Sequence, residues 1–263
     1  RGQGIGCPFQ QMAIIHASHR GIAEEKMRAV LTLIAFAALS MQAAPKPNVV
    51  LILADDLGWG DVSCYQPGNR FQTPEIDRIA REGLRMTNAH APHSVCSPTR
   101  YAVLTGRYCW RTFLREGVLP GYAKPLIAKR RMTLASLLKQ RGYATGAFGK
   151  WHIGMGWIPV KGDPGDFHYG SQIHASGSAL AAISRRVNHA APISGGPTDL
   201  GFDTFFGTPS NRGRIPVFIR DNRVVGSPLR NKSGLMQDPT MRADTVDDLY
   251  AEEAVRFIEK AAK

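Results

Sequence analysis

The sequence predicts an α/β fold in which a mostly parallel sheet is sandwiched by helices. Residues 48–54 form an unbroken apolar, partly β-branched run, which is typical of a strand buried on both faces. Residues 143–154 contain a second strand that runs into a glycine-rich turn. Two helix patterns, at 73–83 and 133–142, each begin at a threonine and end at a glycine. The residues expected to pack on the apolar face of the first helix are Ile76, Ile79 and Ala80.

The rest of the chain predicts shorter elements. Residues 155–197 are rich in Gly, Ser and Pro, which is typical of a long, substrate-facing loop above the sheet, and a short helix is expected at 179–187. Two strands flank Asp221-Asn222 as a hairpin. A helix begins at Thr245 and continues to the end of the chain. Its residues expected to face inward are Leu249, Ala254, Val255, Ile258 and Ala261.

Composition and charge leave most partner classes open. The 263 residues allow one large domain or two small ones, and a hydrophobic share of 43% supports a globular core. The formal net charge of +12, from 33 basic and 21 acidic residues, suits anionic substrates, nucleic acid or a membrane surface. Apart from a cluster at 129–131, however, the basic residues are scattered and form no stripe interleaved with aromatic residues. We therefore expect mainly a solvated basic surface and no nucleic-acid partner.

The N-terminal region is typical of a targeting segment. Met27-Arg28 precedes an apolar run at 29–39 and then small residues, which predicts a signal peptide at 27–44. A buried hydrophobic helix is the alternative. The run is too short to span a bilayer stably, so we expect a periplasmic or secreted protein without stable membrane insertion. Residues 1–26 are interpreted as a mis-set start or a non-native extension.

The cysteines and the histidines of the long loop carry weaker signals. Cys7 precedes the proposed mature chain, while Cys64 and Cys109 could pair or stay free, and the sequence leaves both options open. The loop histidines fit no metal-ligand spacing and are expected on the surface. They are His168, His174 and His189.

Two carboxylates follow the first predicted strand. Asp55 and Asp56 lie at the carboxyl end of that strand, where α/β sheets bind ligands. Paired carboxylates suit a hard cation such as Ca²⁺ or Mg²⁺. Neighbouring strand residues point to opposite faces, so both can serve one site only if the backbone turns, which Gly58 and Gly60 would permit. A solvated acidic turn is the alternative.

A cysteine and an arginine converge at the start of a predicted helix. Cys96 lies just before Ser97-Pro98, which can open a helix, so free N–H groups and the helix dipole favour an anion there. Arg100 follows one helical turn later on the same face. The alternative is a small buried cysteine near a helix start.

A lysine and a histidine follow the second predicted strand. Lys150 and His152 are two residues apart and therefore share a face if the segment is extended. A fixed cation beside a titratable imidazole suits an anionic ester whose leaving group must be protonated.

Two of these patterns together resemble a known family. Residues 96–100 match every fixed position of the first signature of the type I sulfatases, Cys-x-Pro-x-Arg, and an apolar pair and Thr-Gly follow as expected. Residues 149–152 are similar to the second signature, Gly-Lys-x-His, and residues 192–207 also look like bacterial members. The looser likeness runs from Asn48 to about Gly226. The chain thus resembles an arylsulfatase-like, formylglycine-dependent sulfatase of the alkaline phosphatase superfamily.

The resemblance implies a sulfuric ester hydrolase acting on aryl or carbohydrate sulfates. A maturation enzyme would convert Cys96 to Cα-formylglycine, whose hydrate is the nucleophile, and the other partner would be a sulfated small molecule or glycan. Ca²⁺, or Mg²⁺, would assist. The implied metal ligands are Asp55, Asp56 and the modified Cys96. The other implied catalytic residues are Arg100 and Lys150, which neutralise the sulfate, and His152, which assists protonation of the leaving oxygen.

The resemblance also implies that 45–263 is the N-terminal part of a catalytic domain. In the family, a second Asp-Asn/His ligand pair and another lysine come from later sequence, so the sheet is expected to be incomplete at the C-terminus and the remaining ligands to lie beyond Lys263. The segment 208–214 lacks the histidine often found there. Asp221-Asn222 mimics the second ligand pair, but a surface turn explains it better. The fragment alone is expected to be weakly active or inactive.

Two other functions remain as alternatives. One is a phosphoester or phosphonate hydrolase of the same superfamily, since some members share Cys-x-Pro-x-Arg. The other is a catalytically inactive module that binds sulfate esters.

Overall fold

The computed structural model describes residues 27, 28, 30, 46–66, 68–163, 177–211 and 213–262. The chain forms two compact units, 1–53 and 54–263. The proposed extension at 1–26 and nearly all of the proposed signal peptide at 27–44 lie outside the described residues. Among the helices that are described, none combines the length and the apolar character needed to cross a bilayer.

The first predicted strand is not formed. Residues 46–54 carry neither helix nor strand, and the side chains of Val49 to Leu53 are 40% to 80% exposed. A buried strand needs a neighbour that accepts and donates its backbone hydrogen bonds, and residues 48–54 pair with no strand in the described part of the chain. The prediction of a strand at 48–54 buried on both faces is therefore wrong for this structure.

A four-stranded sheet forms the centre of the second unit. Its strands, in spatial order, are β1 Gly146–Lys150, β2 Thr204–Thr208, β3 Phe218–Arg220 and β4 Arg223–Val225. β1 and β2 are parallel, whereas β2–β3 and β3–β4 are antiparallel, so the sheet is mixed. The predicted second strand and the predicted hairpin around Asp221-Asn222 are confirmed. A separate ladder joins β5 Leu229–Arg230 to β6 Met236–Gln237.

Five helices accompany the sheet in the described residues. They are α1 Pro74–Glu82, α2 Cys96–Thr105, α3 Leu134–Gln140, α4 Gly177–Arg186 and α5 Val246–Ala261. The predicted threonine cap of α3 is confirmed, because the Thr133 hydroxyl accepts a hydrogen bond from the Ser136 N–H at 3.0 Å. Gly142, with φ +79°, follows the end of that helix as expected.

Helices cover both faces of the sheet. Phe205 and Ile219 face the main core, which includes Tyr101 of α2 and Leu180 of α4. The next residues along the same strands, Phe206 and Phe218, must point the other way, because side chains alternate along a strand. They pack in a second cluster with residues of α5, among them Val246, Leu249 and Tyr250. The α/β class predicted from the sequence is confirmed.

Two helices differ from the expected packing. Every residue of α1 is at least partly exposed, with Ile76 at 41% and Ile79 at 59%, so its apolar face is not buried as predicted. Polar contacts fix α1 instead: the Asp77 carboxylate accepts hydrogen bonds from the Ser63 hydroxyl at 2.8 Å and from the Cys64 N–H at 2.9 Å. Thus the apolar pattern located the helix but not its contacts.

The face of α5 is also rotated from the expected one. Val255 and Ile258, predicted to face inward, are 51% and 45% exposed. Instead, the Phe257 ring lies 5.6 Å from that of Phe148 in β1, and Glu253 makes a two-pronged ion pair with Arg220 at 2.8 and 2.9 Å. These contacts with the sheet set the rotation of the helix.

The long connection after β1 is pinned at both ends. Backbone bridges join Gly156 to Ser194 and Pro159 to Val187, and the short helix predicted at 179–187 corresponds to α4. The prediction of His189 as a surface residue is wrong, because its ring is half-buried, with Nε2 2.9 Å from the Tyr122 hydroxyl. His168 and His174 lie outside the described residues. Of the described cysteines, Cys64 and Cys109 are both free thiols.

The close approach of β1 and β2 gives a stability prediction. A Cβ at Gly207 would overlap the carbonyl group of Gly149, whereas a Cβ at Gly213 would meet open space. We expect Gly207→Ala to lower the free energy of unfolding by roughly 1–3 kcal/mol or more, and Gly213→Ala to change it by less than about 0.5 kcal/mol. Urea denaturation of both variants measures this. Equal midpoints would contradict the described strand spacing.

Candidate active site

The organising element of the site is the N-terminus of α2. Val95 is the N-cap and Cys96 the first helical residue, so the thiol lies beside backbone N–H groups that the helix leaves unpaired. Pro98 is the third helical residue, and Gly106, with φ +64°, ends the helix in a left-handed conformation. The predicted helix is therefore confirmed, and it places a half-buried sulfur at its positive end.

The two carboxylates turn toward that sulfur. Potential metal-binding atoms of Asp55, Asp56 and Cys96 all lie within 4.8 Å of one another. The expected backbone turn occurs at Asp56 itself, which has φ +59°, whereas Gly58 has an ordinary φ of −83°. Asp is among the residues that tolerate the left-handed region best. This turn allows the consecutive side chains of Asp55 and Asp56 to point toward the same site beside Cys96.

Two cations complete the cluster. The Lys150 ammonium donates to Asp55 Oδ2 at 2.5 Å and to Cys96 Sγ at 3.2 Å, and its side chain is only 13% exposed. The Arg100 guanidinium lies 3.5 Å from Asp55 Oδ1 and donates to the main-chain carbonyl of Lys150 at 2.5 Å. Four of the sequence-predicted residues thus converge around Cys96.

The charges around Asp55 keep its side chain ionised. Burial by itself would raise the pKa of Asp55, but the hydrogen bond from Lys150 and the positive charges of Lys150 and Arg100 lower it below the usual value. The carboxylate is therefore negative at neutral pH, as an ion-pairing or metal-binding group must be.

His152 lies deeper than the other predicted residues. Lys150 and His152 were expected to share a face if the segment was extended. Strand β1 ends at Lys150, however, and His152 has φ +57°, so the backbone is not extended at His152. Its ring is 3% exposed, and Nε2 lies 2.9 Å from the carbonyl oxygen of Leu119. A carbonyl only accepts, so Nε2 carries the proton. Nδ1 is buried and has no hydrogen-bond partner among the described residues.

The surroundings of His152 favour its neutral form. Burial, followed by the positive charge of Lys150, lowers the pKa of His152 to about 4. The left-handed backbone is held by main-chain bonds beyond the end of β1: the N–H groups of Trp151 and His152 donate to the carbonyls of Thr208 and Pro209 at 2.9 and 3.1 Å. These two bonds carry the parallel ladder past the end of the strands.

Main-chain partners are what the sequence did not reveal. The carbonyls of Leu119 and Lys150 bind the two signature side chains His152 and Arg100. A backbone carbonyl is present at every position, so no residue type marks these contacts. Asp221, which the sequence assigned to a turn, binds the Thr204 hydroxyl and the Phe205 N–H through its carboxylate, both at 2.9 Å.

Comparison with known proteins identifies the family. The family model described as Sulfatase matches residues 47–263. The chain belongs to the sulfatase family. It is 38% identical over 186 residues to an N-acetylgalactosamine-6-O-sulfatase of Bacteroides thetaiotaomicron, which covers 70% of this chain and 31% of the relative. It is 43% identical over 131 residues to human arylsulfatase A, covering 49% of this chain and 25% of that protein.

Solved structures show the same fold. One, from work on glycosaminoglycan metabolism by B. thetaiotaomicron, superposes with a TM-score of 0.63 at 28% identity, covering 82% of this sulfatase chain and 48% of the other. A sulfatase from Pseudoalteromonas sp. gives 0.54 at 25% identity, covering 91% and 45%. This chain therefore spans less than half of these structures, and about a quarter to a third of the two curated relatives, at 25% and 31%.

The two histidines with a lowered pKa predict acid sensitivity. The pKa of His152 and of His189 is lowered from 6.5 to about 4, mainly by burial. Between these values the unfolded chain binds protons that the folded chain does not, so stability falls as pH drops from about 6.5 to 4. For His152 the loss is at most about 3 kcal/mol, at 1.36 kcal/mol per pKa unit.

Urea unfolding between pH 7 and pH 4 tests this. We expect His189→Gln to flatten part of the slope, because it removes one of the two proton-linked groups. His93→Gln, at an exposed histidine, is the control and should leave the slope unchanged. A wild-type stability that stays constant from pH 6.5 to 4 would contradict the neutral, buried state of these rings.

Proposed function

We propose that this chain is the N-terminal part of the catalytic domain of an exported sulfuric ester hydrolase that cleaves aryl or carbohydrate sulfates. The observation that carries the proposal is the position of the Lys150 ammonium, which contacts both Asp55 and Cys96. The Arg100 guanidinium lies 3.5 Å from the same Asp55 carboxylate. A sulfate group placed at Cys96 would meet two fixed cations and a helix N-terminus. Relatives named for an amino-sugar sulfate and for aryl sulfates support both substrate classes.

Each residue has a defined part in this proposal. Cys96 is the position that a maturation enzyme would convert to formylglycine, whose hydrate would supply one hydroxyl for attack and a second for sulfate release. Arg100 and Lys150 bind the sulfate oxygens and neutralise the charge that develops on them. His152 uses Nδ1 to take up a proton during turnover and pass it to the leaving oxygen, since Nε2 is engaged with Leu119.

The donor set fits a hard cation. Asp55 and Asp56 offer carboxylate oxygens beside Cys96, and one of these oxygens, Asp55 Oδ2, binds the Lys150 ammonium. We propose that these residues hold Ca²⁺, or Mg²⁺, which would neutralise charge on a bound sulfate. Because Ca²⁺ takes roughly 6–8 oxygen ligands, the two carboxylates and the modified Cys96 would supply part of a shell. We propose that the remaining ligands come from sequence after Lys263.

The proposed location follows from the N-terminal sequence. We propose that residues 27–44 direct export and that the mature enzyme works in the periplasm or outside the cell. This setting suits sulfated glycans and small aryl sulfates as substrates, and it places the maturation enzyme among the partners of the chain.

Hydrolysis of nitrophenyl esters by the protein that contains this chain, co-expressed with a maturation enzyme, tests the activity. We expect faster turnover of the sulfate than of the phosphate ester, and loss of turnover in Cys96→Ala. Lys150→Ala should lower kcat/KM by about 100-fold or more, whereas Lys129→Ala, at an exposed cation, should leave it unchanged.

Three outcomes would overturn the proposal. A preference for the phosphate ester would make the protein a phosphoester hydrolase. Binding of sulfated glycans without turnover would make it an inactive binding module. Full activity with an unmodified Cys96 thiol, as read by mass spectrometry of its peptide, would exclude the formylglycine mechanism.

Calcium binding has a readout that does not require activity. We expect Ca²⁺ at 100 times its Kd to stabilise the protein against unfolding by about 2.7 kcal/mol, and Asp56→Asn to abolish this effect. Asp248→Asn, at an exposed carboxylate of α5, is the matched control and should respond as the wild type does. Equal stabilisation of all three proteins would place the cation elsewhere.

A further inference from the structure

Ser97 is a fully buried residue next to Cys96. Its side chain has 0% exposure, and its hydroxyl oxygen accepts a hydrogen bond from the Leu119 N–H at 3.1 Å. The signature Cys-x-Pro-x-Arg leaves this position open, so the motif assigns no task to it. A buried hydroxyl with a specific main-chain partner is nevertheless costly to lose, because the N–H would remain without an acceptor.

The same partner residue also holds the imidazole. The carbonyl oxygen of Leu119 accepts a hydrogen bond from His152 Nε2 at 2.9 Å, while its side chain is 2% exposed. Leu119 lies in the connection between Thr112 and α3, which contains neither helix nor strand. Its N–H and its carbonyl are therefore each bound to one element of the site, α2 on one side and the turn after β1 on the other.

We propose that Ser97 is a positioning residue that acts through Leu119 to hold His152 in the tautomer protonated at Nε2. By fixing the N–H of Leu119, Ser97 keeps its carbonyl in place, and that carbonyl can only accept. The imidazole then carries its proton on Nε2, and Nδ1 keeps a free lone pair. Nδ1 is thereby kept as the acceptor that gains and releases the proton during turnover, a role that rests on the proposed function.

The charged groups around the ring act on its total protonation, whereas the Leu119 carbonyl decides which nitrogen carries the proton of the neutral ring. Lys150 and Arg100 disfavour a proton on His152, and Asp55 favours one. Without a fixed acceptor at Nε2, the neutral ring could move its proton to Nδ1, where it would no longer accept. The hydrogen bond to the Leu119 carbonyl stabilises the neutral form protonated at Nε2 relative to the one protonated at Nδ1.

The ¹⁵N shifts of the His152 ring report the tautomer without any need for turnover. In the wild type we expect a protonated Nε2 and an unprotonated Nδ1 at pH 7. Ser97→Ala should give a mixture of tautomers, and Ser97→Thr, which retains the hydroxyl, should restore the wild-type pattern. Ser184→Ala is the matched control: this serine is equally buried, and its hydroxyl oxygen accepts the Met236 N–H at 3.2 Å and the Tyr122 hydroxyl at 3.1 Å, neither of which binds a described residue of the site.

Activity is measured on the same variants once mass spectrometry shows equal modification of Cys96. We expect Ser97→Ala to lower kcat by roughly 10- to 100-fold with little change in KM, and to change the pH profile. Ser184→Ala should do neither. If Ser97→Ala does not fold, Ser97→Cys, which keeps the volume but is a weak acceptor, provides the comparison and should also give mixed tautomers.

The outcomes separate the two proposals. A wild-type ring protonated at Nδ1, or unchanged tautomer and kcat in Ser97→Ala or Ser97→Cys, would overturn the role of Ser97. A tautomer change in a protein that hydrolyses no sulfate ester would support the positioning role and overturn the proposed function.

Discussion

The hydrogen bond from Arg100 to the main-chain carbonyl of Lys150 is the constraint on which the site depends. It joins the helix that presents Cys96 to the end of the strand that presents Lys150, two segments separated by 50 residues. A guanidinium bound to a backbone atom sets the position of the chain itself and not only of a side chain. A second connection between α2 and the turn after β1 runs through Leu119, whose N–H binds Ser97 and whose carbonyl binds His152.

This arrangement concentrates charge without leaving it uncompensated. Asp55 accepts from Lys150 and lies within ion-pair distance of Arg100, so one carboxylate serves both cations. Asp56 adds a second negative charge nearby. Since Lys150 is largely buried, its charge is poorly screened by water and acts strongly on whatever anion reaches Cys96. The cations are thus arranged in advance of any ligand, which is the condition for efficient electrostatic stabilisation.

Local patterns predicted the helices, the hairpin and the convergence at Cys96, because their causes lie within a few residues of sequence. The Thr133 cap of α3 and Gly142 after that helix are examples, each decided by one turn of backbone. Burial was predicted less well. The apolar run at 48–54 and the exposed face of α1 show that a pattern states what a segment could bury, whereas the neighbour that buries it comes from elsewhere.

The depth of His152 was missed for a related reason. The sequence shows a histidine two residues after a lysine, but its burial results from a left-handed backbone and from the Leu119 carbonyl, neither of which has a side-chain signature. In the same way, the backbone turn was expected at glycines and occurs at Asp56. Contacts made by the main chain require the fold before they can be seen.

The left-handed backbone at Asp56 has a practical consequence for redesign of this enzyme family member. Asparagine adopts that conformation as readily as aspartate, while β-branched and bulky residues do so at a cost. Electric charge at this position can therefore be varied while the curvature of the chain stays fixed. At Asp55 the backbone imposes no such restriction, and replacement there is limited instead by the ion pairs with Lys150 and Arg100.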